Sequence, residues 1–317
     1  MYDHILVGVD GSDESKRAAR YGLELAARVD ASVTAVHVVE QGTLDLTQGS
    51  SEASELHEER AAVLAEFEAV ADEVGQPIET ELLEGNPAKR LTAYGNETDA
   101  DLVVLGRQGI SGVKRRLLGG TTEQVLYRSE QPVFVVPEAT ESFAADRLLV
   151  PTDGSENAAR ALPHAAELSR IDGGHVDLLN VIDLAEAGGA FNAGGLSSAF
   201  VERLESRGRE AVEDAAEELR GHNPGAEVRT AVERADAAGS VADRIRTYVE
   251  NEGVDAVVTG EMEAVCSSVA AARSPVSRAV RVLMSLTSSS LATICSVAVA
   301  CWSVALWRGC RRWSPRR

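Results

Sequence analysis

Up to residue 263 the chain has no cysteine and no tryptophan, and over its whole length it has three lysines, Lys16, Lys89 and Lys114. Without cysteine that body can hold no disulfide, no thiolate metal site and no cysteine nucleophile. The shortage of lysine leaves arginine to carry the positive charge, and even so 50 acidic residues face 31 basic ones among 317. A chain about 19 net negative is unsuited to a general nucleic-acid surface, which relies on Lys and Arg to neutralise phosphates. Such acidity with so little lysine suggests a salt-adapted cytosol. In molar salt the Debye length falls to roughly 3 Å, so carboxylates repel one another weakly while their hydration keeps the protein in solution. No export segment is visible, because Met1-Tyr2-Asp3-His4 has no basic start and the apolar run at residues 5–9 is too short. A cytoplasmic body is therefore expected. The 44% apolar content is ordinary for a globular protein, and the length fits two domains or one large one.

The composition breaks once. Glu263 is the last acidic residue; residues 264–317 hold eight arginines, all four cysteines and all three tryptophans. The body before it has 50 acidic against 23 basic residues, about 27 net negative. The cysteine spacings in the tail, with no histidine beside them, do not make a zinc site.

Within the body the chain repeats itself. His4-Ile-Leu-Val-Gly-Val-Asp10-Gly11-Ser12 returns 143 residues later as Arg147-Leu-Leu-Val-Pro-Thr-Asp153-Gly154-Ser155. At the same offset Glu24 meets Glu167, and Val36-His37-Val38-Val39 meets Leu179-Asn180-Val181-Ile182. Asp101-Leu-Val-Val-Leu-Gly106 then meets Asp255-Ala-Val-Val-Thr-Gly260 at an offset of 154, so 11 extra residues fall between, most naturally in the glycine-rich stretch 188–195.

Each copy alternates short apolar runs with helical patterns, the signature of a parallel sheet covered by helices. The first copy predicts strands at 4–9, 32–39, 78–83, 101–105 and 132–136. The second predicts them at 147–151, 174–182, 226–232 and 255–259. A helix over 13–29 follows Ser12 as N-cap, with Asp13 and Glu14 at the positive end of its dipole and an apolar stripe of Ala18, Ala19, Gly22, Leu25, Ala26 and Val29. Another starts at Asn86-Pro87. Residues 137–146 read as a short polar linker.

The strand ending at Leu105 runs into Gly106-Arg107-Gln108-Gly109 and, ten residues on, Gly119-Gly120-Thr121-Thr122-Glu123. Beyond the carboxyl ends of a parallel sheet, glycines let amides approach an anion, and a helix starting near Gly120 would aim its free amides at the same spot. Phosphate is the expected guest. The pattern is neither the dinucleotide fingerprint nor a Walker loop. Lys114-Arg115-Arg116 would screen phosphate or merely be a solvated charge run, and Asp10 would either touch ligand or cap its own loop. His37 reads as a structural residue.

Gly106, two residues, Gly109, nine residues, Gly119 is the spacing of the ATP-binding motif of the universal stress protein family. With the Val-Asp-Gly-Ser opening and the His-Val-Val after the second strand, residues 1–262 resemble a tandem universal stress protein. The resemblance implies an α/β fold of two Rossmann-like domains, related to the adenine nucleotide alpha hydrolases. Each is a five-stranded parallel sheet with helices on both faces, at 1–138 and 146–262, the second incomplete. It implies an adenine nucleotide, ATP with or without Mg, contacted by Asp10 at the nucleoside, by the main chain of Val38 at the adenine edge and by Gly106 at the ribose. Gly109, Gly119, Gly120 and Thr121 would surround the phosphates. The family motif has Ser or Thr directly after its last glycine; this chain has Gly120 there and Thr121 one place later. A stress-response or signalling role follows, with self-association through the domains and little or no catalysis, since the loop offers Glu123 alone as a carboxylate for hydrolysis. A purely structural dimerisation or regulatory module is the rival class.

The second copy lacks the loop, because its motif positions are Glu263 and Arg273, and it offers no fifth strand. For 263–317 two readings compete. Residues 283–307 are 25 uncharged residues flanked by arginine, long enough for a membrane-spanning helix. Loss of every acid and interruption of a repeat inside its motif would equally follow from a reading frame that slips near residue 261. Little order and no functional residue are expected after Met262.

Overall fold

The computed structural model describes residues 1–39, 50–107, 118–137, 142–171, 173–184, 197–235, 240–260 and 283–285. The chain divides into two compact units, the first built on Met1–Ala144 and the second beginning at Ala145.

In the first unit β1 (His4–Val9), α1 (Asp13–Val29), β2 (Ser32–Val39), α2 (Ser50–Val74), β3 (Glu79–Glu84), α3 (Pro87–Glu97), β4 (Leu102–Gly106), α4 (Gly120–Arg128) and β5 (Val133–Val136) follow in order. The strands pair in parallel as β3-β2-β1-β4-β5. Every residue of β4 and β5 is buried, as strands covered on both faces require. Two glycines fix which helix covers which face: a Cβ on Gly22 of α1 would lie 3.0 Å from Val7, and one on Gly8 would lie 3.1 Å from Leu91 of α3. Neighbouring residues of β1 point to opposite faces, so α1 and α3 lie on opposite sides of the sheet. The Ser12 hydroxyl caps α1 by accepting from the Ser15 amide at 3.1 Å, and the helix ends on Asp30 in the left-handed region (φ 58°). The linker is less detached than its polarity suggests. Phe143 is buried against Tyr21, which also stacks on Phe134, and its amide donates to Glu24 at 2.7 Å.

The second unit runs β6 (Arg147–Pro151), α5 (Glu156–Ala159), α6 (Leu162–Ile171), β7 (His175–Ile182), α7 (Ser198–His222), β8 (Glu227–Arg234), α8 (Val241–Glu252) and β9 (Ala256–Val258), with parallel strand order β9-β6-β7-β8. Among the described residues its sheet has four strands, in keeping with the incomplete second domain expected. Where the first unit has one helix, α1, the second has α5 and α6. Pro163 supplies the reason, since it lacks an amide to continue α5 and suits the first turn of a new helix.

The duplication extends to the amino ends of the strands. Asp101 accepts from the amides of Asp3 and His4 at 2.8 and 2.9 Å, and its counterpart Asp255 accepts from the amide of Arg147 at 2.8 Å. In the first unit His4 Nε2 lies 2.9 Å from the Thr34 hydroxyl; at the same two positions the second has Arg147 and the buried Asp177, joined at 2.9 Å. Tyr248 donates to Asp177 at 3.1 Å, and Glu252 bridges Arg147 and Arg229 at 2.7 and 2.8 Å.

One strand was not expected. β10 (Leu283–Ser285), from the tail, runs parallel to β5 with Leu283 opposite Phe134 and Met284 opposite Val135. An outer strand leaves a row of unpaired backbone groups, and β10 satisfies part of that row. Little order was expected after Met262, but these three residues are strand rather than the start of a membrane helix. The rest of 263–317, and the 188–195 insertion, lie outside the described residues. Among those described, no helix is long and apolar enough to cross a membrane.

Candidate functional site

The carboxyl ends of β1, β2 and β4 form the candidate site, at the point where the strand order reverses on either side of β1. Register brings the sequence-marked residues together. The β1–β2 pairing ends at Val9 opposite His37, so Asp10 and Val38 each come next on adjacent strands. Gly8 is opposite Leu105, which puts Gly106 level with Val9 on the other flank.

Asp10 is half-buried, and its Oδ1 accepts from the Ser12 amide at 3.1 Å and the Ser12 hydroxyl at 2.6 Å. The loop-capping role is thus present. Gly11 between them has φ 83°, a conformation that suits glycine. Val38 is half-buried on β2, which continues beside β3 through Leu83 and Glu84 after β1 has ended. His37 donates through Nδ1 to the Val9 carbonyl at 2.9 Å. In the second unit Asn180 donates to the equivalent carbonyl of Thr152 at 2.8 Å. The same contact is made by two chemistries, so its task is to hold the end of the first strand.

Gly106 closes β4. A Cβ there would lie 2.9 Å from the Glu14 carbonyl oxygen and 3.0 Å from its carbon, in the backbone of the first turn of α1. The second unit repeats this, for a Cβ on Gly260 would lie 1.6 Å from the carbonyl oxygen of Asn157, the counterpart of Glu14. Gly260 is kept in a copy that has lost the rest of the glycine loop. This glycine is needed for strand-to-helix packing, which sequence spacing did not separate from a ribose contact.

Gly109 and Lys114-Arg115-Arg116 lie outside the described residues, but both ends of their loop are fixed. The Arg107 amide donates to Val136 at 3.0 Å, and the Gly119 amide donates to the Arg107 carbonyl at 2.9 Å. Gly119 is the N-cap of α4 with no side-chain cap. The first intrahelical bond runs from Glu123 N to Gly119 O, so the amides of Gly120, Thr121 and Thr122 precede it. Among the described residues a Cβ on Gly120 would meet nothing within 4 Å, and Thr121 and Glu123 are exposed. An open helix start with three amides that have no intrahelical partner and a positive dipole end can bind an anion.

Thr122 was not anticipated. It is 5% exposed, and its hydroxyl donates to the Gly106 carbonyl at 2.9 Å. A signal existed: with Val125 and Leu126 it falls on the buried stripe of α4, and a hydroxyl on such a stripe must find a partner. No group of three or more His, Cys, Asp or Glu side chains that could hold a metal ion occurs among the described residues.

Comparison with known proteins agrees with the fold. The profile of the universal stress protein family matches residues 1–137 and 145–300, the second match running past the point where the loop motif is lost. A universal stress protein of Methanocaldococcus jannaschii is 36% identical over 140 residues, 43% of this chain and 82% of that protein. The crystal structure of a universal stress protein from Archaeoglobus fulgidus superposes with a TM-score of 0.56 at 22% identity, covering 80% of this chain and 84% of that one. A universal stress protein crystallised in complex with cAMP is 30% identical, covers 43% of this chain and 97% of that one, and has a TM-score of 0.34.

Proposed function

The chain belongs to the universal stress protein family, and from that premise we propose that its first unit binds an adenine nucleotide, ATP foremost, at the carboxyl ends of β1, β2 and β4. The observation that carries this reading is the start of α4: three amides ahead of the first intrahelical bond, no side-chain cap, and open space over Gly120 among the described residues. Phosphate oxygens would take the amides of Gly120, Thr121 and Thr122, aided by the loop through Gly109. The main chain at Val38 would take the adenine edge. Asp10 would present to the nucleoside the carboxylate that also accepts from Ser12. Gly106 supports this site by letting α1 close on β4, and its main chain would lie against the ribose.

The role is binding rather than turnover, with nucleotide occupancy setting partner contacts in a stress response. Glu123, exposed on the first turn of α4, would repel the γ-phosphate as readily as it would orient a water, so hydrolysis is slow or absent. The second unit keeps Asp153 and Val181 but has no phosphate loop, and it binds no ATP tightly.

Calorimetry of the full chain in high salt tests this with Gly119→Asp. Aspartate is among the best N-cap residues, so the new carboxylate would accept from the amides of α4 and occupy the place of the phosphate while keeping the helix. Wild type should bind ATP more tightly than adenosine, and the variant should lose that preference. A folded wild-type chain with no adenine-nucleotide affinity would refute the reading.

A further inference from the structure

Two hydrogen bonds join the start of α4 to the end of β4. One is the backbone bond from Gly119 N to Arg107 O at 2.9 Å; the other is the bond from the Thr122 hydroxyl to the Gly106 carbonyl, also 2.9 Å, made inside the protein. Gly106 is itself held against the backbone of α1, with no room for even a methyl group. The Thr122 bond thus ties α4 to the most constrained point at the carboxyl edge of the sheet. Its geometry fixes both the height and the rotation of the first turn of α4, because one end is a strand terminus and the other is the third residue of the helix.

We propose that Thr122 is a positioning residue for phosphate recognition. Its hydroxyl does not touch the ligand; it aims the amides of Gly120, Thr121 and Thr122. Hydrogen bonds weaken steeply once their angle opens, so a small tilt of the first turn would cost phosphate affinity while leaving the adenine edge at Val38, two strands away, unaltered. This rests on the nucleotide reading above and adds to it a separation of labour: the β2 side serves the base, and the Gly106–Thr122 tie serves the phosphates alone.

The test is Thr122→Val in the full chain, which keeps the branched shape and removes the hydroxyl, with Thr122→Ser as the rescuing variant. Affinities for ATP and for adenosine are measured for each by calorimetry, with folding checked by circular dichroism. Thr122→Val should bind ATP about tenfold more weakly and adenosine within twofold of wild type, and Thr122→Ser should restore ATP binding. If valine proves too costly for the fold, Thr122→Ala must show the same split. Equal losses for ATP and adenosine would mean that the hydroxyl only supports the fold, and unchanged ATP affinity would overturn the proposal directly. A wild-type chain that holds adenosine as tightly as ATP would instead refute the phosphate reading on which it stands.

Discussion

Replacing Gly106 by alanine adds one methyl group whose position is fixed by the backbone. It would sit 2.9 Å from the Glu14 carbonyl oxygen and 3.0 Å from the carbonyl carbon. Both are main-chain atoms of α1, so no side-chain rotation relieves the overlap and the helix or strand must shift. Overpacking of this kind costs about 1–3 kcal/mol. Against it stands the entropy that alanine removes from the unfolded chain, about 0.4–1 kcal/mol, and Gly106 has no positive φ to add strain. The net expectation is a loss of about 1–2 kcal/mol. Gly120→Ala provides the control, since its methyl group, on a helical residue, meets nothing within 4 Å among the described residues, and it should gain up to about 1 kcal/mol. Urea unfolding of the full chain in molar salt, followed by far-ultraviolet circular dichroism, resolves the difference. With a slope of about 1–3 kcal/mol per molar urea, Gly106→Ala lowers the midpoint of the first unit by roughly 0.3–2 M. A Gly106→Ala protein with a wild-type midpoint would refute the packing argument and leave Gly106 the role of a ligand-facing glycine alone.

Two further expectations concern the second unit. Asp177 is 1% exposed and accepts from both Arg147 and Tyr248; Asp177→Asn removes this buried counter-charge, but Arg147 keeps Glu252 at 2.7 Å, so the cost is that of a lost charge-assisted hydrogen bond, about 1.5–3 kcal/mol. Installing the first unit's own pair, Arg147→His with Asp177→Thr, should recover at least half of that loss in the same urea measurement; a double variant no better than the single one would deny the equivalence of the two pairs. Burial holds the His164 imidazole down from 6.5 to about 4. It is therefore neutral in the folded protein and takes up a proton on unfolding, so its contribution is complete above about pH 6.5 and is lost as the pH falls towards 4. That window should remove about 3 kcal/mol from the second unit, and His164→Leu should remove the dependence; an identical acid profile in the variant would contradict the assignment.

The strand ladder and α1 were legible because their signals are local. Ser12 with Asp13 and Glu14 marks the start of α1, and Ala18, Ala19, Gly22, Leu25 and Ala26 of its expected stripe are all buried. β8 continues to Arg234, two residues past its apolar run, because Glu233 pairs with Arg244 and Arg234 with Glu205 across neighbouring elements. No strand pattern contains such partners. The division of the second unit's first helix could have been read from Pro163. At the site, glycine spacing placed Gly119 and Gly120 at the open end of α4, since the spacing encodes a helix start. It could not separate a glycine kept for ligand from one kept for packing. That distinction for Gly106 comes from Gly260, which remains where there is no phosphate loop, and Thr122 escaped because its task depends on a carbonyl 16 residues away.

The central claim is that one copy of the duplicated fold carries a nucleotide site and the other does not, and the number of nucleotides bound per chain tests it most directly. Equilibrium dialysis of the full-length protein against labelled ATP at saturating concentration, in high salt, should give one bound molecule per chain, reduced to none by Gly119→Asp. A value of two, or a site that survives Gly119→Asp, would place nucleotide binding in the second unit and contradict the account.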